Sequence, residues 1–365
     1  MVFNKDHPHL RTAYAKCLRE LWIKRISKHK DFKPTIYSTV PGNLPNQKFS
    51  GVKILNYASK TPLNGEDGLL SAYKSANADI YFTQVDAQVL NKTPGWSAEN
   101  LLNWIAYIPL DFYPISDKLI SVLSKARKVI TMCSWAQREL KKRIDNVTGA
   151  VYHGVDTSIF RVRDKVKKSD TFDVCLVQAN RFRKMWPSQL EGIKHFADNN
   201  RDIKVKVFAH TSISGDWRLN ELIEKFNLKN VVFPDQDKLL RNAYSDLEIA
   251  KLYAKSDVNL FASPEGFGLP TIEAMACGTP TIGLDFGSTR EILEPITPKL
   301  LVKSYETIMV DGVEKPCPEP YEIADALEFV LKNKIKREVL AKYAKKFSWN
   351  SAASKICALL RDVLD

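Results

Sequence analysis

Short runs rich in β-branched and aromatic residues recur along the chain, each followed by a longer stretch with helical spacing. That alternation predicts parallel sheets assembled from strand–helix–strand units. In the first half the runs lie at 34–40, 52–56, 79–84, 104–109, 128–133 and 149–153; in the second half at 173–178, 204–209, 230–233, 257–261, 280–283 and 300–302. Several are continuously apolar rather than alternating, as strands are when helices cover both faces of a sheet. The expected fold class is α/β, with two doubly wound, Rossmann-like parallel-sheet domains. The charged stretch DTSIFRVRDKVKKSD at 156–170 interrupts the rhythm and marks the seam. No internal repeat or low-complexity segment is visible.

Residues 9–29 form one long helical pattern, with Leu10, Tyr14, Cys17, Leu18, Leu21 and Ile26 on one side and Arg11, Arg19, Lys24, Arg25 and Lys28 among the rest. The spacing predicts a basic amphipathic helix. Two readings stay open for it: packing of one face on the first sheet, or contact with a membrane surface or a nucleic acid.

Composition narrows the picture. The chain has 365 residues, 44% of them apolar and 26% charged, which allows a real core in each half and excludes wholesale disorder. The six cysteines, Cys17, Cys133, Cys175, Cys277, Cys317 and Cys357, lack metal-ligand or CxxC spacing and read as reduced, mostly buried thiols. With no apolar run of membrane-spanning length and no signal-peptide core in MVFNKDHPHL, the expectation is a cytoplasmic protein, peripheral at a membrane surface at most. The net charge of +12 is uneven: residues 1–157 hold 22 basic and 13 acidic side chains, and residues 158–365 hold 32 and 29. The surplus in the first half reads either as a solubilising surface or as one that concentrates anionic partners.

The strongest chemical signal is SPEGFGLPTIEAMACGTPTIGLDFGS at 263–288. A strand runs into a glycine-containing loop, a short helix and a second strand. Pro270 suits the first helical turn and Gly278 the left-handed residue that ends it. The backbone N–H groups of Phe267, Gly268 and Leu269 then gather at a helix N-terminus, a site for an anion or a sugar hydroxyl. Glu265 and Glu273 flank the loop. Taken singly, Glu273 could reflect the helix dipole and Glu265 a solvated loop residue. His153 and His210 stand at strand ends, where a lone histidine is more often structural than a ligand. Asp156 reads as a turn residue.

The segment EGFGLPTIE (265–273) followed by AMACGTP closely resembles the E-x7-E motif of family-4 retaining glycosyltransferases of the GT-B fold. Further matches are KVITMCSWAQREL (128–140), VYHGVDTSIF (151–160), the stretches at 209–235 and 245–263, and FSWNSAASKI (347–356). The resemblance implies an N-terminal acceptor-side domain over 1–157 and a C-terminal nucleotide-sugar domain over 158–346, facing a central cleft. A tail helix over 347–365 would cross back to the first domain. It also implies that Glu273 binds the donor ribose, that Glu265 contacts the donor sugar, and that Phe267, Gly268 and Leu269 meet its hydroxyls and diphosphate. In QANRFRKMWP (178–187), Arg181 and Lys184 would neutralise the diphosphate, with Arg183 an equally charged neighbour able to exchange roles with either. No DxD-like pair stands at a strand end, so neither metal nor cofactor is expected. Asp111, in IPLDFYP, occupies about the place of the family's histidine near the anomeric centre. The family's opening strand and Gly-rich loop have no counterpart beyond MVF, with no glycine before Gly42, so that loop is expected to be absent or replaced.

The expected function is retaining transfer of a sugar from a UDP- or GDP-sugar to an acceptor hydroxyl. The acceptor is expected to be anionic: a lipid-linked or phosphorylated glycan, or modified nucleic acid. Two alternatives are a nucleotide-sugar epimerase or hydrolase of similar fold, and a basic nucleic-acid-binding protein with a non-catalytic sugar-nucleotide pocket.

Overall fold

The computed structural model describes residues 1–4, 6–38, 47–56, 66–92, 103–164 and 170–365. Gly42 and residues 165–169 of the seam lie outside the described residues. The chain divides into two compact units. The first comprises residues 1–110, 114–154 and 348–365; the second comprises 111–113 and 155–347.

In the first unit eight strands form one sheet: β1 (Val2–Phe3), β2 (Thr35–Ser38), β3 (Gln47–Phe49), β4 (Val52–Asn56), β5 (Tyr81–Gln84), β6 (Trp104–Ile108), β7 (Lys128–Thr131) and β8 (Val147–Ala150). Their order is β3-β4-β2-β1-β5-β6-β7-β8, parallel throughout except for β3 against β4. Every residue of β6 is buried, as its unbroken apolar run predicts. Its polar tips are satisfied inside: Trp104 Nε1 donates to Thr83 Oγ1 at 2.9 Å and the Tyr107 hydroxyl to the Val151 carbonyl at 2.6 Å.

Three expectations are corrected here. The run at 149–153 pairs earlier, as β8 over Val147–Ala150, with a register irregularity opposite Val129 and Ile130 of β7. An opening strand does exist: Val2 and Phe3 sit mid-sheet between β2 and β5. The segment after it contains no glycine and is pinned by Asn4, whose N–H donates to the Tyr37 carbonyl and whose side-chain amide donates to the Tyr14 carbonyl. The helix expected over 9–29 is broken into three pieces. Thr12 caps a short α-helix (Ala13–Cys17) by accepting from the Ala15 N–H, so His9 to Arg11 stay outside it. A π-helical stretch (Leu18–Ile23) follows, and a 3-10 turn (Ile26–Lys28) ends the segment. The wider π turn brings Leu18, Glu20, Leu21, Trp22 and Ile23 all into the interior.

The second unit has a six-stranded, all-parallel sheet: β9 (Thr171–Val177), β10 (Lys204–His210), β11 (Val231–Val232), β12 (Val258–Phe261), β13 (Thr281–Leu284) and β14 (Leu301–Val302), in the order β11-β10-β9-β12-β13-β14. The order reverses between β9 and β12, and in open α/β sheets ligands bind beyond the strand ends at that switch point. A further antiparallel hairpin, β15 (Glu306–Val310) with β16 (Val313–Cys317), has no counterpart among the expected strands. Its turn, Asp311-Gly312, places both residues at positive φ, a signature of tight hairpin turns.

The tail helix, Trp349–Leu364, is capped by Ser348 and belongs to the first unit. There Trp349 stacks on His153, with ring centroids 5.4 Å apart. No helix of the described residues is long and apolar enough to cross a membrane.

Candidate active site

The loops leaving β9 and β12 lie at the switch point, and each is shaped by a few buried polar groups. After β9, Asn180 organises its surroundings: its side-chain amide donates to the carbonyls of Trp217 (2.9 Å) and Ile213 (3.2 Å) and accepts from the Trp217 N–H (3.0 Å). A 3-10 turn, Phe182–Lys184, carries the basic residues. Met185 then enters the left-handed region (φ 50°, ψ 42°) and turns the chain into the helix Trp186–Asn199. After β12, Gly268 adopts φ 83° and feeds the helix Leu269–Ala276, with Pro270 in its first turn and Gly278 (φ 80°) beyond its end.

Two side chains hold these loops in place. Gln189 is fully buried; its amide donates to the Lys184 carbonyl (2.6 Å) and accepts from the Ala262 N–H (3.2 Å), joining one loop to the other. The Ser288 hydroxyl lies 3.0 Å from both the Glu265 and Phe267 carbonyl oxygens, fixing the curvature of the second loop. Gln189 is visible in the sequence only as a polar residue inside the buried stripe Trp186, Leu190, Ile193, Phe196.

The result is a chain of charges. Lys184 binds Glu265 Oε1 directly, and Arg183 Nη1 reaches the same oxygen at 3.1 Å. Arg183 also stands 4.0 Å from Asp111 Oδ2, and Lys315, from β16, lies 2.6 Å from Asp111 Oδ1. Asp111 thus packs with the second unit although it precedes the seam. Burial, reinforced by the neighbouring Arg183 charge, pulls the Lys184 ammonium from its ordinary 10.5 down to about 8, against the opposing pull of Glu265. For Glu265, burial alone would raise the carboxyl, but Lys184 and Arg183 outweigh it and hold it below its usual range. The Lys184 ammonium also rests over the Phe261 ring at 4.7 Å.

Arg181 is not in this cluster. Its side chain is largely exposed and pairs with Asp216 at 3.3 Å, while Asp216 also accepts the Phe182 N–H. Arg183 is the arginine beside Glu265. Glu273 is buried at the fifth position of its helix, beyond the first turn where the dipole alone would account for it. His153 is packed among Cys17, Tyr107 and Trp349, and burial drives it down to about 3. His210 packs edge-on to Tyr244, and burial lowers it to about 4. Asp156 accepts from the N–H and hydroxyl of Ser158, closing its own turn.

Residues 161–347, which contain both loops and the hairpin, match the family described as glycosyl transferases group 1. The chain belongs to this family. Among curated relatives, a D-inositol 3-phosphate glycosyltransferase of Paenarthrobacter aurescens is 30% identical over 159 residues, covering 42% of this chain and 34% of its own. An MMP alpha-(1->4)-mannosyltransferase of Mycolicibacterium hassiacum is 27% identical over 154 residues, covering 39% and 32%. The matched region therefore spans about a third of these relatives' length. Two solved structures cover nearly the whole chain: an alpha,alpha-trehalose 6-phosphate synthase from Burkholderia multivorans (TM-score 0.70, 11% identity, 100% of this chain and 98% of that one), and an E. coli protein bound with UDP-2-fluoro glucose (0.66, 12%, 99% and 98%). They establish the GT-B fold. Within the group 1 span lie Arg183, Lys184, Glu265, Phe267, Gly268, Leu269, Glu273 and Lys315, whereas Asp111 lies before it.

Proposed function

We propose that the chain transfers a sugar from a nucleoside diphosphate donor to an acceptor hydroxyl with retention at the anomeric carbon. The observation that carries this is the pair of cations, Arg183 and Lys184, held beside Glu265 at the switch point of the second sheet. As the bond between anomeric carbon and diphosphate breaks, negative charge grows on the departing oxygen. Preorganised cations and amide dipoles lower that barrier without reorganising. Arg183 and Lys184 would meet the diphosphate with no divalent cation required, the N–H groups of Phe267, Gly268 and Leu269 would bind donor oxygens, and Glu273 the ribose. Glu265 would contact the sugar while its ion pairs keep the cations in register.

The neighbours support the finer points. A trehalose-6-phosphate synthase structure is described as glycosyltransfer with retention, and another synthase is described as UDP-forming. An anionic acceptor agrees with relatives named for D-inositol 3-phosphate and L-malate, and with the basic surplus of residues 1–157. The test is UDP or GDP release from a panel of sugar nucleotides by the wild type, Glu273→Ala and Lys184→Ala. Each variant is expected to lose about 100- to 1,000-fold in kcat/KM, the scale of removing one stabilising group from a transition state. Unchanged turnover in both would reject this site.

A further inference from the structure

The β15–β16 hairpin places a lysine where a surface hairpin has no ordinary use for one. Across the hairpin Thr307, Met309 and Glu314 share the exposed face, whereas Val310, Val313 and Lys315 share the other face and are buried. Lys315 is fully buried. Its ammonium lies 2.6 Å from Asp111 Oδ1, hydrogen-bonds the Asp111 backbone carbonyl at 3.4 Å, and faces the Phe112 ring at 5.6 Å. One side chain thus grips both the carboxylate and the main chain of residue 111. From the other side, Arg183 faces Asp111 Oδ2 and continues to Glu265.

Burying an ammonium is costly unless a carboxylate meets it, and a buried pair is poor value as a stabilising device. Such a pair is better suited to fixing a geometry. Resting on the reading above, we propose that Lys315 is a positioning residue of the transfer site. It holds Asp111 aimed along Arg183, so that the hairpin sets both the orientation of Asp111 and the charge balance around Glu265. The backbone of the donor-binding loops is held separately, by Gln189 and Ser288.

The proposal is tested with Lys315→Met, Lys315→Arg, Asp111→Asn and the double variant Lys315→Met/Asp111→Asn, measuring kcat, donor KM and UDP or GDP binding. Displacing a group at the reacting centre costs on the order of 100-fold, so Lys315→Met is expected to lower kcat by about 10- to 100-fold while nucleotide affinity changes by less than about threefold. Lys315→Arg, which keeps the charge, should recover part of the loss. The double variant should be no slower than Asp111→Asn alone, since groups acting as a unit are not additive. It also removes the buried negative charge that Lys315→Met leaves facing one cation fewer, so a folded protein is available for comparison. Wild-type kcat in Lys315→Met, or additive losses in the double variant, would overturn the proposal while leaving the functional reading intact. Absence of nucleotide release by the wild type from every donor would overturn both.

Discussion

Lys184 is under two opposed demands, and their balance makes it titrate within reach of experiment. Burial and Arg183 favour its neutral form, and Glu265 favours the cation, leaving it at about 8. Since kcat/KM reports the free enzyme, donor kcat/KM is predicted to fall as pH rises through about 8, as the diphosphate loses one of its two cations. Lys184→Arg should move that limb upward because a guanidinium stays charged. The linkage has the opposite sign. A lysine whose folded pKa lies below its unfolded value binds fewer protons when folded, so its contribution to stability grows from about 8 towards 10.5. Donor use and this part of the stability should therefore diverge in parallel pH series of kinetics and urea midpoints. Met185, next in the chain, holds a left-handed backbone that costs a side-chain-bearing residue about 1–2 kcal/mol, and its buried side chain keeps the turn that aims Lys184 inward.

At the scale of elements, the strands and the E-x7-E loop were legible because their signals are local: continuous apolar runs, a proline inside a helix start, a glycine past its end. The division between the two arginines was not, because it rests on contacts distant in sequence: Arg181 pairs with Asp216, on a loop folded around Asn180, while Arg183 stands beside Glu265. Lys315 was hidden for a similar reason, since an inward lysine in a short hairpin makes sense only once Asp111 is known to meet it. The pattern at 9–29 misled because a 3.6-residue period was carried across a π turn; Thr12, whose cap fixes where the helix starts, was the unused signal. The same break reassigns the basic residues. Arg19 donates to the Pro8 and Leu10 carbonyls, and Arg25 binds Glu20 and Asn350, so both serve the fold. Arg19→Glu is predicted to cost about 1–3 kcal/mol in urea unfolding through orphaned carbonyls. Reversal of exposed Arg11 or Lys28 should stay within about 0.5 kcal/mol. An anionic acceptor is therefore probed at Arg11 and Lys28, where a rise in acceptor KM cannot be ascribed to unfolding.

At the scale of the molecule, the chain completes its first unit only after it has built the second, and the closure is backbone against backbone. A Cβ on Gly154 would fall 2.1 Å from the Trp349 nitrogen and 2.5 Å from the Ser348 carbonyl carbon, atoms that cannot rotate away. Gly154→Ala must therefore displace the start of the tail helix, and Trp349 with it from the His153 ring. Overpacking of this kind costs about 1–3 kcal/mol, and all of it falls on the first unit. The residues proposed to bind the donor nucleotide lie in the second. A ligand that binds only the folded state adds RT ln(1 + [L]/Kd), about 2.7 kcal/mol at 100 times its Kd. Scanning calorimetry with and without UDP or GDP should thus separate two effects. Gly154→Ala lowers the transition of the first unit and keeps the nucleotide-induced shift, whereas Lys184→Ala keeps that transition and loses the shift. A nucleotide shift that disappears in Gly154→Ala would mean that the donor nucleotide is not held by the second unit alone, and would move the search for its partners to residues that the tail helix supports.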